Sequence, residues 1–287
     1  MSDRDAGDRL AEWIGRHRRV FVLTGAGCST GSGIPDYRDE NGAWKRRPPV
    51  MIQALISQAA IYQRYWARAF AGWPRFRGAA PGPAHHALAA LERTGTISSL
   101  VTQNVDGLHQ RAGSEAVIDL HGRLDVVVCL GCRARITRDD AQAVMAAANA
   151  GWTADFSTAP DGDADIDAAA VVAFVAPRCA VCGGLLKPDV VFFGENVPVA
   201  RYEQARDALA SSDALLVAGS SLMVFSGFRF ARQAHDAGMP IAIVNRGHTR
   251  ADELAELKVE GDIGELLTAA SDAAPLRRQA STVPTRG

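Results

Sequence analysis

Five short runs of apolar and β-branched residues limit what this chain can fold into. They are Val20–Thr24, Ser99–Thr102, Val117–Leu120, Leu215–Gly219 and Ile241–Asn245. None alternates apolar with polar, so each reads as a strand covered on both faces. Between them the apolar spacing turns helical. Leu10, Trp13 and Ile14 share one helix face. Pro83 opens a helix carrying Leu88 and Leu91 that stops near Gly95, with proline early and glycine late as helix termini favour. Tyr202–Leu209 and Phe228–His235 supply two more. Strands alternating with helices predict an α/β fold, a parallel sheet with helices on both faces. In such sheets ligands gather beyond the carboxyl ends of the strands. Each run is followed there by small or polar residues: Gly25-Ala26-Gly27, Gln103-Asn104, His121-Gly122, Ser220-Ser221 and Arg246-Gly247. One shared cleft is the economical reading.

The middle of the chain has another texture. From Cys129 to Cys182 the long alternation stops and paired cysteines appear. Cys129-x-x-Cys132 and Cys179-x-x-Cys182 can close a tetrahedron of thiolates around one zinc ion. Four sulfurs leave no open coordination position, which makes the metal structural. The gap between the pairs is longer than in a compact ribbon, so a small zinc-binding module of about 123–190 is inserted into a single domain of 1–270. The remainder, 271–287, is rich in Ala, Arg, Ser, Thr and Pro and reads as a flexible tail. Cys28 stands alone and reads as a packed thiol.

Composition excludes more than it suggests. The 287 residues are 47% hydrophobic, enough for a sizeable core. Lys plus Arg total 31 against 32 for Asp plus Glu, so no net field points to nucleic acid or an anionic membrane. The first ten residues are polar with no apolar stretch behind them, and no window approaches the roughly 20 apolar residues of a membrane helix. A cytoplasmic protein is expected, with no specific nucleic acid and no membrane. The oligomeric state is not legible in the sequence.

Several constellations admit two readings each. Thr24-Gly25-Ala26-Gly27-Cys28-Ser29 follows a strand as a dinucleotide loop does, where glycines admit phosphates and a following helix offers free N–H groups. Yet Thr30 takes the place of the third glycine, and a structural turn fits as well. Gln103-Asn104-Val105-Asp106 could bind a ribose and an amide, or cap a helix. His121, at a strand's carboxyl end, stands above His17, His86 and His235 as a candidate base. The run Asp161-x-Asp163-x-Asp165-x-Asp167 hints at calcium, but Ile166 and Val172 stand where an EF-hand needs Gly and Glu, which leaves a solvated loop. Trp66, Phe70, Trp73 and Phe76 read as helix packing.

Taken in order, the motifs resemble the sirtuin family. They are Gly25-Ala26-Gly27-x-Ser29, Gly33-Ile34-Pro35-Asp36-Tyr37-Arg38, Thr102-Gln103-Asn104-Val105-Asp106, Leu120-His121-Gly122, and the two cysteine pairs. Lys187-Pro188-Asp189-Val190-Val191-Phe192-Phe193-Gly194-Glu195, Gly219-Ser220-Ser221-Leu222 and Val244-Asn245 complete the series. Gln63-Arg64-Tyr65-Trp66-Ala67-Arg68, Gly72-Trp73-Pro74 and Ala159-Pro160-Asp161-Gly162-Asp163 look like the class II branch. Tyr37 replaces the Phe usual in other branches.

The resemblance implies a Rossmann-like domain with a zinc module, NAD as co-substrate, zinc as a structural ion and acylated-lysine proteins as substrates. Ala26, Gly27, Asp36, Tyr37 and Arg38 would form the cofactor loop, beside Gly25 and Ser29. Gln103 would bind the nicotinamide-side ribose, Asn104 would order a water and that ribose, and Asp106, next to Val105, would hold the carboxamide. Gly219, Ser220, Ser221, Asn245, Arg246, Gly247 and Ile263 would serve the phosphates and the adenine side. Val190, Phe192, Phe193, Gly194 and Glu195 would pair with the substrate backbone as a strand. The acyl oxygen would attack the ribose carbon as nicotinamide leaves, and His121 would act as general base on the ribose hydroxyls. Free lysine and O-acyl-ADP-ribose are the implied products. Mono-ADP-ribosyl transfer is the alternative within the family. A nicotinamide dehydrogenase and a non-catalytic zinc-ribbon binder are the rivals outside it.

Overall fold

The computed structural model describes residues 3–45, 49–154, 156–158, 164–166 and 171–273. Six strands form one parallel sheet: β1 (Val20–Thr24), β2 (Ile97–Thr102), β3 (Val117–Asp119), β9 (Ala214–Ala218), β10 (Ile241–Val244) and β11 (Leu257–Val259), in the order β11-β10-β9-β1-β2-β3. β1 shows why the runs do not alternate. Val20 and Val22 face one core with the helices Asp3–Gly15, Pro83–Arg93 and Ile263–Ala273. Phe21 and Leu23 face a second core with the helices Val199–Ala210 and Phe225–Asp236. Both faces are dry, so Val20 to Leu23 are all apolar, and the buried Thr24 hydroxyl is satisfied by Thr102 and His109. Leu10, Trp13 and Ile14 do line one buried face, and the Pro83 helix stops at Arg93 with Gly95 in a left-handed turn.

Sequence and structure differ at the sheet's edge. The five expected strands are present, with ends shifted by one or two residues, but β11 makes a sixth. Its three residues, Leu-Lys-Val, are too few to announce a strand; pairing with β10 makes them one.

The strand order reverses direction between β1 and β9. There Gly27 lies so close to Gly219 that a Cβ on Gly27 would sit 2.8 Å from the Gly219 Cα. This crossing is the topological switch point, where open α/β sheets hold ligands.

The second body is built around β4 (Gly122–Cys129), β5 (Arg135–Thr137) and β8 (Leu186–Val190), an antiparallel sheet in the order β5-β4-β8. β6 (Phe156–Thr158) and β7 (Ala164–Ile166) form a separate hairpin. The module's core is larger than the inserted stretch alone. The helices Ile52–Ser57 and Ala59–Gly78 contribute Leu55, Tyr62, Tyr65 and Trp66 to it, packed against Val127, Met145 and Phe174. Trp66 meets Tyr62 and Tyr65 edge-on, as helix packing of this aromatic segment requires. Of the acidic run, Asp161, Asp163 and Asp167 lie outside the described residues, as does the chain from residue 274, whereas Ser271 to Ala273, expected in the tail, complete the helix Ile263–Ala273. No helix among the described residues is long and apolar enough to cross a membrane.

Candidate active site

Two features stand out: a four-sulfur cluster on the module and a deep cleft at the carboxyl edge of the parallel sheet. In the cluster, Cys129 ends β4 and Cys132 follows in a tight turn closed by Arg133 N–H to the Cys129 carbonyl at 3.1 Å. Cys179 and Cys182 repeat the form, with Gly183 N–H donating to the Cys179 carbonyl at 2.8 Å. Arg133 and Gly183 both take left-handed φ, 65° and 71°, which swings the chain away after the second sulfur of each pair. The ligand atoms lie within 4.8 Å of one another, and Cys129 to Cys182 and Cys132 to Cys179 are 3.5 and 3.6 Å apart. Sulfurs about 2.3 Å from a tetrahedral zinc are separated by about 3.8 Å. The set therefore fits one structural zinc, as the spacing predicted.

The cleft is a cavity of about 720 Å³. Its lining brings together the three turns that the sequence leaves far apart: Gly25 to Ser29, Gln103 to Asp106, and Gly219 to Ser221. Asp36, Tyr37 and Arg38 close one side, Asn245, Arg246 and Ile263 another, and Val190 with Phe192 to Glu195 a third. His121 sits in the same wall. Of the residues singled out for NAD or substrate, Gly247 alone is outside the lining. Its φ of 72° and its contact with Glu40 give it a backbone role, seating the loop that carries Tyr37 and Arg38.

The glycine turn differs from the expected phosphate loop. It runs into a 3₁₀ segment, Ala26–Ser32, and no α-helix follows. Three of its amides are engaged inside the chain: Gly25 on Ala218, Gly27 on Gly219 and Cys28 on Gly25. The missing third glycine is consistent with this. Cys28 is buried, its thiol pushed up to about 12 by burial and then by the Asp106 charge, so it is a packed thiol and not a nucleophile.

The polar trio is held by a directed network. Gly82 N–H donates to His85 Nδ1 at 3.1 Å, which places the ring proton on Nε2. That nitrogen lies 3.4 Å from Ser29 Oγ, which donates to Asp106 Oδ2 at 2.7 Å. Asn104 Nδ2 donates to Ser29 Oγ and to the Gly25 carbonyl, both at 3.0 Å. Asp106 also accepts from Leu108 N–H, the first amide of the short helix Leu108–Arg111, but the N-cap of that helix is Gly107 and not Asn104 or Asp106, and the carboxylate faces the cleft as well. Gln103 donates to Ser220 Oγ at 2.8 Å, joining β2 to β9 across β1.

His121 follows β3, whose end falls at Asp119. Its Nδ1 lies 3.0 Å from the Gln103 carbonyl and its Nε2 lies 2.8 Å from Ser226 Oγ. A carbonyl only accepts, so Nδ1 carries the proton and Nε2 the lone pair. Burial lowers the ring to about 4 and the Arg201 charge adds to this, against the pull of the Gln103 carbonyl. At neutral pH the imidazole is a free base. An apolar wall stands close by: Ile34, Phe76 and Leu124 with Val105 and Val190.

The segment Val190–Glu195, expected to pair with substrate, is not a regular strand throughout. β8 ends at Val190; Val191 N–H bonds the His121 carbonyl at 2.8 Å, and Glu195 N–H bonds the Phe192 carbonyl at 3.0 Å. Gly194 turns the chain at φ 80°, and Ile52 N–H already takes the Phe193 carbonyl. Only a short edge is left for a peptide. Sequence reasoning missed Trp44, which lines the cavity beneath Arg38 at 3.9 Å and meets Phe193 edge-on. A lone tryptophan in a polar loop was the available signal. Ser226 was missed too, and nothing in its surroundings marks it.

Comparison with known proteins agrees with this geometry. Residues 25–226 match the Sir2 family. An NAD-dependent protein deacetylase of Xanthomonas axonopodis pv. citri is 60% identical over 259 residues, covering 90% of this chain and 88% of the relative. NAD-dependent protein deacetylase 2 of Bradyrhizobium diazoefficiens is 57% identical, covering 89% and 94%. Among solved structures, a Sir2 enzyme with a p53 peptide and NAD superposes at a TM-score of 0.72 and 31% identity, over 92% of this chain and 96% of that one. Another, with deacetylated p53 peptide and 3′-O-acetyl-ADP-ribose, reaches 0.75 at 31% identity, over 92% and 97%.

Proposed function

The chain belongs to the Sir2 family, and we propose that its cleft removes acyl groups from protein lysines at the expense of NAD, by way of His121. The observation that carries this is the placement of a neutral imidazole in the wall of the same cavity as the glycine turn. NAD supplies a ribose carbon that becomes electrophilic as nicotinamide departs, and hydroxyls on that ribose to receive the acyl group.

The chain's own residues divide the remaining work. Asp106, fixed by Ser29 and Leu108, offers a carboxylate to the nicotinamide carboxamide. Asn104, held by Gly25 and Ser29, orders a water and the ribose. His121 Nε2 would take a proton from a ribose hydroxyl that replaces Ser226 Oγ as its donor, and the Nδ1–H bond to Gln103 keeps the lone pair on Nε2. Ser220, Ser221, Asn245 and Arg246 serve the phosphates and the adenine-side ribose, and the short edge at Val190–Glu195 seats the peptide. Ile34, Phe76 and Leu124 suit an uncharged acyl chain. None of the four cysteines lines the cavity, so a zinc ion held by them would brace the two knuckles of the module and take no part in this chemistry.

The test is a panel of acyl-lysine peptides incubated with NAD and read by mass spectrometry. Free lysine peptide and O-acyl-ADP-ribose are expected from at least one uncharged acyl group. An ADP-ribosylated protein with no deacylated peptide would move the assignment to mono-ADP-ribosyl transfer, and NADH absorbance would move it to hydride chemistry.

A further inference from the structure

We propose that Ser226 is a positioning residue for the general base: donating a hydrogen bond to Nε2 of His121, it fixes the ring's tautomer and orientation and yields that lone pair to the ribose hydroxyl when NAD enters. The inference rests on the reading of His121 as that base. Two bonds hold the imidazole at opposite ends, Nδ1 to the Gln103 carbonyl at 3.0 Å and Nε2 to Ser226 Oγ at 2.8 Å. Because the first forces the proton onto Nδ1, the hydroxyl is the donor in the second. A ring turned over about its χ2 axis would present carbon atoms to both partners, so the pair selects one orientation as well as one tautomer. Ser226 is the second residue of the helix Phe225–Asp236, and the next residue, Gly227, is pressed against the Gln103 amide so closely that a Cβ there would collide with it. Gln103 is itself tied to Ser220 at 2.8 Å. One residue thus supports the ring through its carbonyl and braces the helix that supports it from the other side.

The same bond tunes the base. A donor on Nε2 stabilises the neutral ring, as does the positive end of the helix that carries it. Among the charged groups on the surrounding elements, Arg201 of the helix Val199–Ala210 acts on the ring directly and opposes protonation. Asp189 of β8 is paired with Arg201 and Arg135, Arg123 of β4 with Asp125, and Arg229 lies over the Tyr202 and Phe225 rings. Asp119 of β3 accepts from Gln110.

The experiment is a nitrogen-15 titration of His121 in the full chain, beside steady-state deacylation, for Ser226→Ala and Ser226→Thr. Loss of the donor is expected to raise the ring's pKa by about half to one unit. It should lower kcat roughly 3- to 10-fold with the KM for NAD unchanged; threonine should restore both. An unmoved titration in Ser226→Ala overturns the proposal, as does a normal kcat or a threonine variant that behaves like alanine. If Ser226→Ala melts well below the parent, Ser226→Cys, a weak donor, replaces it under the same criteria. The titration needs neither NAD nor peptide, so it judges Ser226 even where deacylation itself fails to appear.

Discussion

The parallel sheet and the zinc module solve the same problem, holding a wall of the cleft in place, by different physics. The sheet does it by burial: β1, β9 and β10 are dry on both faces, and their side chains feed two separate cores. The module has three antiparallel strands with β5 exposed along its length, and it relies on an aromatic cluster borrowed from the helices Ile52–Ser57 and Ala59–Gly78 and on four sulfurs. Large cores can carry strained loops at their edge, and small ones need a staple. The chemistry sits accordingly. The polar groups that would touch NAD rise from the sheet's strand ends, while the module would supply the peptide edge at Val190–Glu195.

That contrast can be broken most forcefully at the metal. Structural zinc carries about 10–16 kcal/mol in small domains. Chelation, or Cys179→Ser with Cys182→Ser, should abolish activity and expose Trp66 and Trp152 while much of the α/β signal persists. Zinc content, far-ultraviolet dichroism and tryptophan fluorescence read this together; a single-step collapse of all signals would erase the distinction between the bodies. His121→Ala should do the reverse, cutting deacylation about 10²- to 10⁴-fold with an unchanged melting curve. Retained turnover would remove the ring from the base role.

Trp66→Ala comes next. The side chain is fully buried between Tyr62 and Tyr65, and its loss should destabilise the module by about 3–5 kcal/mol in denaturant titration. The mildest effect is confined to acid and to the sheet. His109 is buried on Thr24, and burial, then the neighbouring His85, lowers it to about 3. Its folded pKa lies below the unfolded value near 6.5, so the unfolded chain binds the extra proton. The stability it preserves is complete above pH 6.5 and drains away as pH falls toward 3. His109→Asn should flatten that part of the stability profile, and an unaltered slope would assign the acid sensitivity to other groups.

What could be read from sequence follows the same division. β1 was legible because two dry faces demand an unbroken apolar run, and the cysteine pairs because a tetrahedron demands that spacing. β11 was not: a three-residue edge strand with Lys258 at its centre takes its form from β10. The helices that complete the module's core lie about fifty residues or more before the first cysteine pair, so no local pattern joins them to it. The turn at Phe192–Glu195 depends on Met51 and Ile52 arriving alongside. His121 could be picked out by its place after a strand, but Ser226 acquires meaning only once that ring has a position.

The abutment of Gly27 on Gly219 restricts anyone who wishes to redesign this protein. Because the two chain segments touch through bare backbone, neither position tolerates a new side chain, and the turn offers no foothold for altering nucleotide preference. Variation has to enter through the loop that carries Tyr37, Arg38 and Trp44. There the contacts are ring faces and long side chains, which can be exchanged without moving a strand.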